Sequence, residues 1–171
     1  MEGNRLSIEL RQSAVGLGLC TEWQKEWKDE TDKQTLIDKY FEGLDFPMEH
    51  HWPSNKFIKE NFEQDLLRKN NILVDDTRSL LNPKEAVILG SSVAKIRVNG
   101  LSHSVVYLRD DSEVNLYIRN KAFVVVHLFE QAKINIRTYD TPNVLVLKHS
   151  EFVSVEASEG VKIKNDLDYL K

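Results

Sequence analysis

At 171 residues the chain has room for one domain or two small ones, and 41% hydrophobic with 29% charged side chains is the balance of a folded protein, not a disordered one. A net charge of −4 is too mild for a nucleic-acid mimic and has the wrong sign for general nucleic-acid binding. The single Cys20 excludes an intrachain disulfide and a cysteine-based zinc cluster, and no apolar run reaches the ~18–20 residues a membrane helix needs.

In chain order, Leu6 to Val15 predicts a first helix, stopped by Gly16 and Gly18. Its apolar positions are interrupted by Glu9, Arg11 and Gln12, unlike a secretory leader, so a cytoplasmic protein is expected. Thr21-Glu-Trp-Gln24 and Thr31-Asp-Lys-Gln34 match the capping box, in which hydroxyl and amide satisfy free backbone donors. Trp23 and Trp27 share one helical face. Leu36, Ile37, Tyr40, Phe41 and Leu44 stripe the next helix. Pro53-Ser54 then opens a segment carrying Phe57, Ile58, Phe62, Leu66 and Leu67. These stripes read as core-facing surfaces, not as a cofactor box. Asn70-Asn71 closes the helical part, Ile72-Leu73-Val74 reads as a short strand and Asp75-Asp76 as a turn.

The composition then changes. Fourteen of sixteen valines follow residue 80, whereas Trp23, Trp27 and Trp52 all precede it. β-Branched residues favour strands, so residues 1–80 are assigned as a helical region and 81–171 as a repetitive β region. From residue 81 to 160 the sequence repeats every twenty positions. Ala86, Val106, Val126 and Val146 share a column, as do Ile96, Leu116 and Ile136. Such a period marks stacked units with one continuous core. The fourth row drifts by about one residue, since Val153, Val155 and Ala157 fit only after a deletion. Each unit holds two strands separated by polar corners, such as Asp110-Asp111-Ser112 and Asn120-Lys121. The fold class is therefore α+β: a cluster of short helices packed on a β-solenoid of about four coils. An antiparallel meander or sandwich would give a similar alternation. Only Asn99-Gly100 resembles a tight hairpin turn, which favours the solenoid. Residues 72–83 are expected to cap one end and Asp166–Lys171 the other.

Alternation along a strand sorts side chains into inward and outward sets. The second strand of each coil turns Lys95, Arg97, Asn115, Tyr117, Asn135, Arg137 and Glu156 outward. With Arg119 and Tyr139, its Lys95, Arg97, Tyr117 and Arg137 make a basic–aromatic patch suited to an anion, a nucleotide or an acidic protein surface. The first strand turns out Val87, Val105, Tyr107, Val125, His127, Leu145 and Leu147. A strand apolar on both sides is usually covered on both, here by the helical half, another subunit or a target protein.

Catalytic or metal chemistry finds little support. Glu49-His50-His51 lacks a completing pair at helical or strand spacing and reads as a polar helix end. Cys20 reads as a buried side chain beside Leu19. His103, His127 and His149 occupy different columns and are not expected to stack into a site. Asp110, Asp111 and Glu113 suggest the acids of polysaccharide-cleaving β-helices, but later rows do not keep them. No cofactor or metal is called for.

The segment Leu19-Cys-Thr-Glu-Trp-Gln-Lys-Glu-Trp27, with Leu36-Ile37-Asp38-Lys39-Tyr40, Gly43-Leu-Asp-Phe46 and Pro53-Ser-Asn-Lys-Phe-Ile58, resembles short proteins of Bacteroides-type gut bacteria, their phages and mobile elements. That resemblance implies a mobile-element accessory protein inside a bacterial host cell and carries no catalytic residues. The expectation is a non-enzymatic protein that binds another macromolecule, a protein partner or a second copy of itself. The alternatives are an anti-defence inhibitor, blocking a nuclease or sequestering a nucleotide, and a small β-helix enzyme acting on carbohydrate.

Overall fold

The computed structural model describes residues 2–29 and 32–169. The chain divides into two compact units, Met1–Leu66 and Leu67–Lys171.

The first unit begins with α1 (Glu2–Gly16), which buries Leu6, Ser7, Leu10 and Ala14 at helical spacing. Gly18 takes the left-handed conformation (φ 97°), and the Leu19 N–H returns to the Ala14 carbonyl at 3.0 Å, ending the helix as its glycines predict. α2 (Thr21–Glu26) has no side-chain cap. Its expected capping box is absent, because the Gln24 amide donates instead to the Leu19 carbonyl. α3 (Lys33–Glu42) starts one residue later than the second box implied. Thr31 lies outside the described residues, and Asp32 caps the helix by accepting from the Thr35 N–H at 3.0 Å. The Gln34 amide is engaged with Asp38. α4 (Asp45–His50) ends at His51, a left-handed C-cap, so Glu49-His50-His51 is the helix end that its sequence suggested. The predicted segment after Pro53 is two helices, α5 (Asn55–Asn61), capped by Ser54, and α6 (Gln64–Lys69).

Tryptophans organise this unit. Trp27 is buried edge-on to Trp52, with ring centroids 6.4 Å apart, and Phe46 lies 5.6 Å from Trp52. Both indole N–H groups find hydroxyls on α1: Trp27 donates to Ser7 at 3.0 Å and Trp52 to Ser13 at 2.8 Å. Cys20 does not join this core. It is exposed, because Leu19 takes the inward position and the extended backbone at Cys20 turns the next side chain out.

The second unit is a parallel β-solenoid. Its strands are β1 (Ile72–Val74), β2 (Thr77–Leu81), β3 (Glu85–Leu89), β4 (Val93–Val98), β5 (His103–Leu108), β6 (Glu113–Ile118), β7 (Phe123–Leu128), β8 (Lys133–Thr138), β9 (Asn143–Lys148), β10 (Ser154–Ala157) and β11 (Lys162–Asn165). Odd strands form one sheet and even strands the other. Every pairing among them is parallel, which removes the antiparallel meander and sandwich. Chain neighbours thus alternate between sheets, and each coil stacks on the one before. Val106 lies opposite both Ala86 and Val126, so the sequence columns are rows of stacked side chains. These inward columns are fully buried between the two sheets.

Residues 72–83 do not cap the repeat. β1 and β2 form a further, shorter coil, pairing Ile72 with Val87 and Thr77 with Val93. Arg68 anchors its corner through two hydrogen bonds to Asp76, at 2.8 and 2.9 Å. At the other end β10 pairs Val155 with Ile134, in keeping with the drift read from the fourth row, and β11 adds a last strand before the tail.

Candidate interaction face

Each coil turns its corners through left-handed residues: Gly90, Asp110 and Glu130 at one corner, Gly100, Asn120 and Asp140 at the other. The corner side chain of one coil accepts the corner N–H of the coil before it. Asp110 accepts from Gly90 at 2.7 Å and Glu130 from Asp110 at 3.1 Å. Asn120 accepts from Gly100 at 3.1 Å and Asp140 from Asn120 at 3.0 Å. Gly and Asx residues tolerate this backbone, and the Asp110, Asn120, Asp140 and longer Glu130 side chains reach one coil spacing away. The carboxylates at Asp110 and Glu130 are therefore corner braces. Glu130 also meets the buried Arg109 at 3.1 Å.

With the corners fixed, the flat strands between them set the outward faces. On the even-numbered sheet Arg97, Tyr117 and Arg137 are register partners on β4, β6 and β8. Leu81 on β2 continues that column and is 67% exposed. Lys95, Asn115, Asn135 and Glu156 form the adjacent column. The Lys95 ammonium lies 5.4 Å from the Tyr117 ring centre, and the Arg119 guanidinium 4.8 Å from that of Tyr139, which follows β8. Lys95, Arg97, Arg119, Arg137 and Tyr139 are exposed, with Tyr117 half-buried beneath Lys95. All six patch residues predicted from sequence thus share one sheet and its adjoining corner.

The odd-numbered sheet differs. Val87, Tyr107, His127 and Leu147 form one outward column, and Val105, Val125 and Leu145 another. Val87 is fully buried and the other six are half-buried.

Here the histidine expectation needs correction. His127 and His149 do meet, with His127 Nδ1 2.9 Å from His149 Nε2. Their columns differ but are two residues apart on one face, so a residue and its diagonal neighbour on the next coil come into contact. His149 Nδ1 lies 2.9 Å from the Asp166 carbonyl oxygen. That oxygen only accepts, so His149 Nδ1 carries a proton, and the neutral ring accepts from His127 through Nε2. Tyr107 stacks on His127 at 4.6 Å, while Phe129 and Tyr169 flank His149 at 4.6 and 4.2 Å. Burial holds the His149 pKa below its ordinary value, against the opposing hydrogen bond and charge of Asp166. Tyr169 and Asp166 lie outside the repeat, so no column signalled this cluster. His103 instead stacks on Phe123 at 5.2 Å.

The fold and the exposed face define a two-sheet parallel β-solenoid carrying one basic–aromatic surface, joined to a unit of short helices. No family model, curated protein or solved structure matches the chain. No described helix is long and apolar enough to cross a membrane.

Proposed function

We propose that the protein is a non-enzymatic interaction module whose even-numbered sheet recognises an acidic protein partner. One observation carries this reading: Arg97, Tyr117 and Arg137 stand in a single outward register column whose two arginines are exposed, with the Lys95 and Arg119 cations beside it. Parallel pairing fixes their spacing before any partner arrives, so little ordering cost attaches to binding. A nucleotide would need an aromatic face to stack on, and Tyr117 and Tyr139 each already carry a cation. That favours carboxylates over bases and ranks nucleotide sequestration second. Carbohydrate cleavage draws less support still, because the Asp110 and Glu130 carboxylates are engaged with backbone donors. The resemblance of residues 19–58 adds a setting, an accessory protein of a phage or mobile element, in which a target would be a host protein.

Titration with poly-L-glutamate tests the reading. Wild type should bind at low salt and weaken as salt rises, because exposed charges are screened within about 10 Å at 0.1 M. The Arg97→Ala/Arg137→Ala variant should lose most of that binding. Undiminished binding by the double variant would remove this face from consideration.

A further inference from the structure

Resting on that reading, we propose that the partner presents an acidic amphipathic helix, which lies across the strands along the Leu81–Arg97–Tyr117–Arg137 column. The column runs apolar, cationic, aromatic, cationic through four paired strands. Neighbouring strands are about 4.8 Å apart, so its members sit at about 4.8, 9.6 and 14.4 Å from Leu81. A helix rises about 1.5 Å per residue, so its positions i+3, i+7 and i+10 lie about 4.5, 10.5 and 15 Å from position i on one face. The two series agree to within about 1 Å over the whole column.

An extended acidic segment fits poorly in either direction. Laid across the strands, its same-side residues repeat about every 6.7 Å and fall out of step by the second strand. Laid along a strand, it finds cations at successive outward positions only on β4, at Lys95 and Arg97; β6 holds Asn115 and Tyr117 there, and on β8 Asn135 separates Lys133 from Arg137. The complementary helix therefore carries an apolar residue at i, acids at i+3 and i+10, and an apolar or aromatic residue at i+7. Leu81 offers the apolar anchor, exposed despite its size. Glu156, beside Asn135, disfavours an acid displaced toward the end of the sheet.

Two synthetic helical peptides of equal composition test this on the wild-type protein. One carries Leu, Glu, Leu and Glu at the first, fourth, eighth and eleventh positions. The other moves both glutamates to the opposite helical face. Fluorescence anisotropy should show the first binding at least about tenfold more tightly, as register-fixing charge pairs allow. Leu81→Ser should weaken that peptide several-fold and leave poly-L-glutamate binding unchanged. Equal affinity for the two peptides, both lost in Arg97→Ala/Arg137→Ala, would overturn the helix and leave acid recognition standing. Binding of a thymidine oligonucleotide or ATP through the same arginines, with neither peptide bound, would overturn the helix and the acidic partner together. So would failure of every probe to bind.

Discussion

Single residues set the corners and one pH response. Gly90 is left-handed (φ 66°), and a Cβ there would come within 2.1 Å of the Asp75 carboxylate. Gly90→Ala should therefore destabilise the solenoid by about 1–3 kcal/mol, as backbone strain of this kind does, and chemical denaturation would show it. The matching Gly100 meets no atom at its Cβ position and keeps only the strain of its φ of 73°, so Gly100→Ala should cost less. His149 gives the pH dependence. Its folded pKa lies below the ordinary 6.5, so the unfolded chain takes up the proton first as pH falls. Its contribution is intact above about 6.5 and declines as pH drops from there toward the folded value. Asp76, held low first by its hydrogen bond from Arg68, loses its contribution only below about 3.8, as pH falls through its own folded value. Melting temperatures between pH 7.5 and 5 should fall in wild type and fall less in His149→Phe. Identical profiles would contradict the buried neutral ring.

At the scale of elements, the repeat was legible because every coil solves the same packing problem. Val126 sits fully buried between Val106 and Val146, and its column is plain in the twenty-residue period of the sequence. Val126→Asp should unfold the solenoid, since an unpaired buried charge costs several kcal/mol, and loss of the cooperative melt would report it. The strands of the basic face were readable for the same reason: alternation separates Lys95 and Arg97 from Ala94 and Ile96 without tertiary information. What escaped was whatever departs from the period. β1 and β2 pair at a shorter spacing than twenty and so resembled a cap. The His127–His149 contact needs a diagonal neighbour and a non-repeating tail, and neither leaves a column. In the helical unit, Asp32 displaced the expected cap and Gln24 found a carbonyl instead of its box partner. Short polar side chains have several local partners of similar energy, which a pattern cannot rank.

For the whole molecule, the charge distribution bears on partners. Residues 1–80 carry 11 basic and 16 acidic side chains, whereas residues 81–171 carry 12 and 11. The modest net charge of −4 thus hides an acidic half and a near-neutral solenoid, in which Lys95, Arg97 and Arg137 share one sheet with Arg119 at its corner. Because that face is exposed, Arg97→Ala/Arg137→Ala should leave stability within about 0.5 kcal/mol of wild type while removing recognition. The opposite sheet should behave the other way. Val87 is fully buried, so Val87→Asp should lower the melting temperature sharply. Retention of wild-type stability and oligomeric state by native mass spectrometry would show that its burial contributes nothing. A charge swap tests recognition most directly. Arg97→Glu/Arg137→Glu should abolish binding of the acidic helical peptide, and a peptide with lysines in place of its two facing glutamates should restore it at low salt. Binding of the acidic peptide unchanged by the reversal would contradict the assignment of this face.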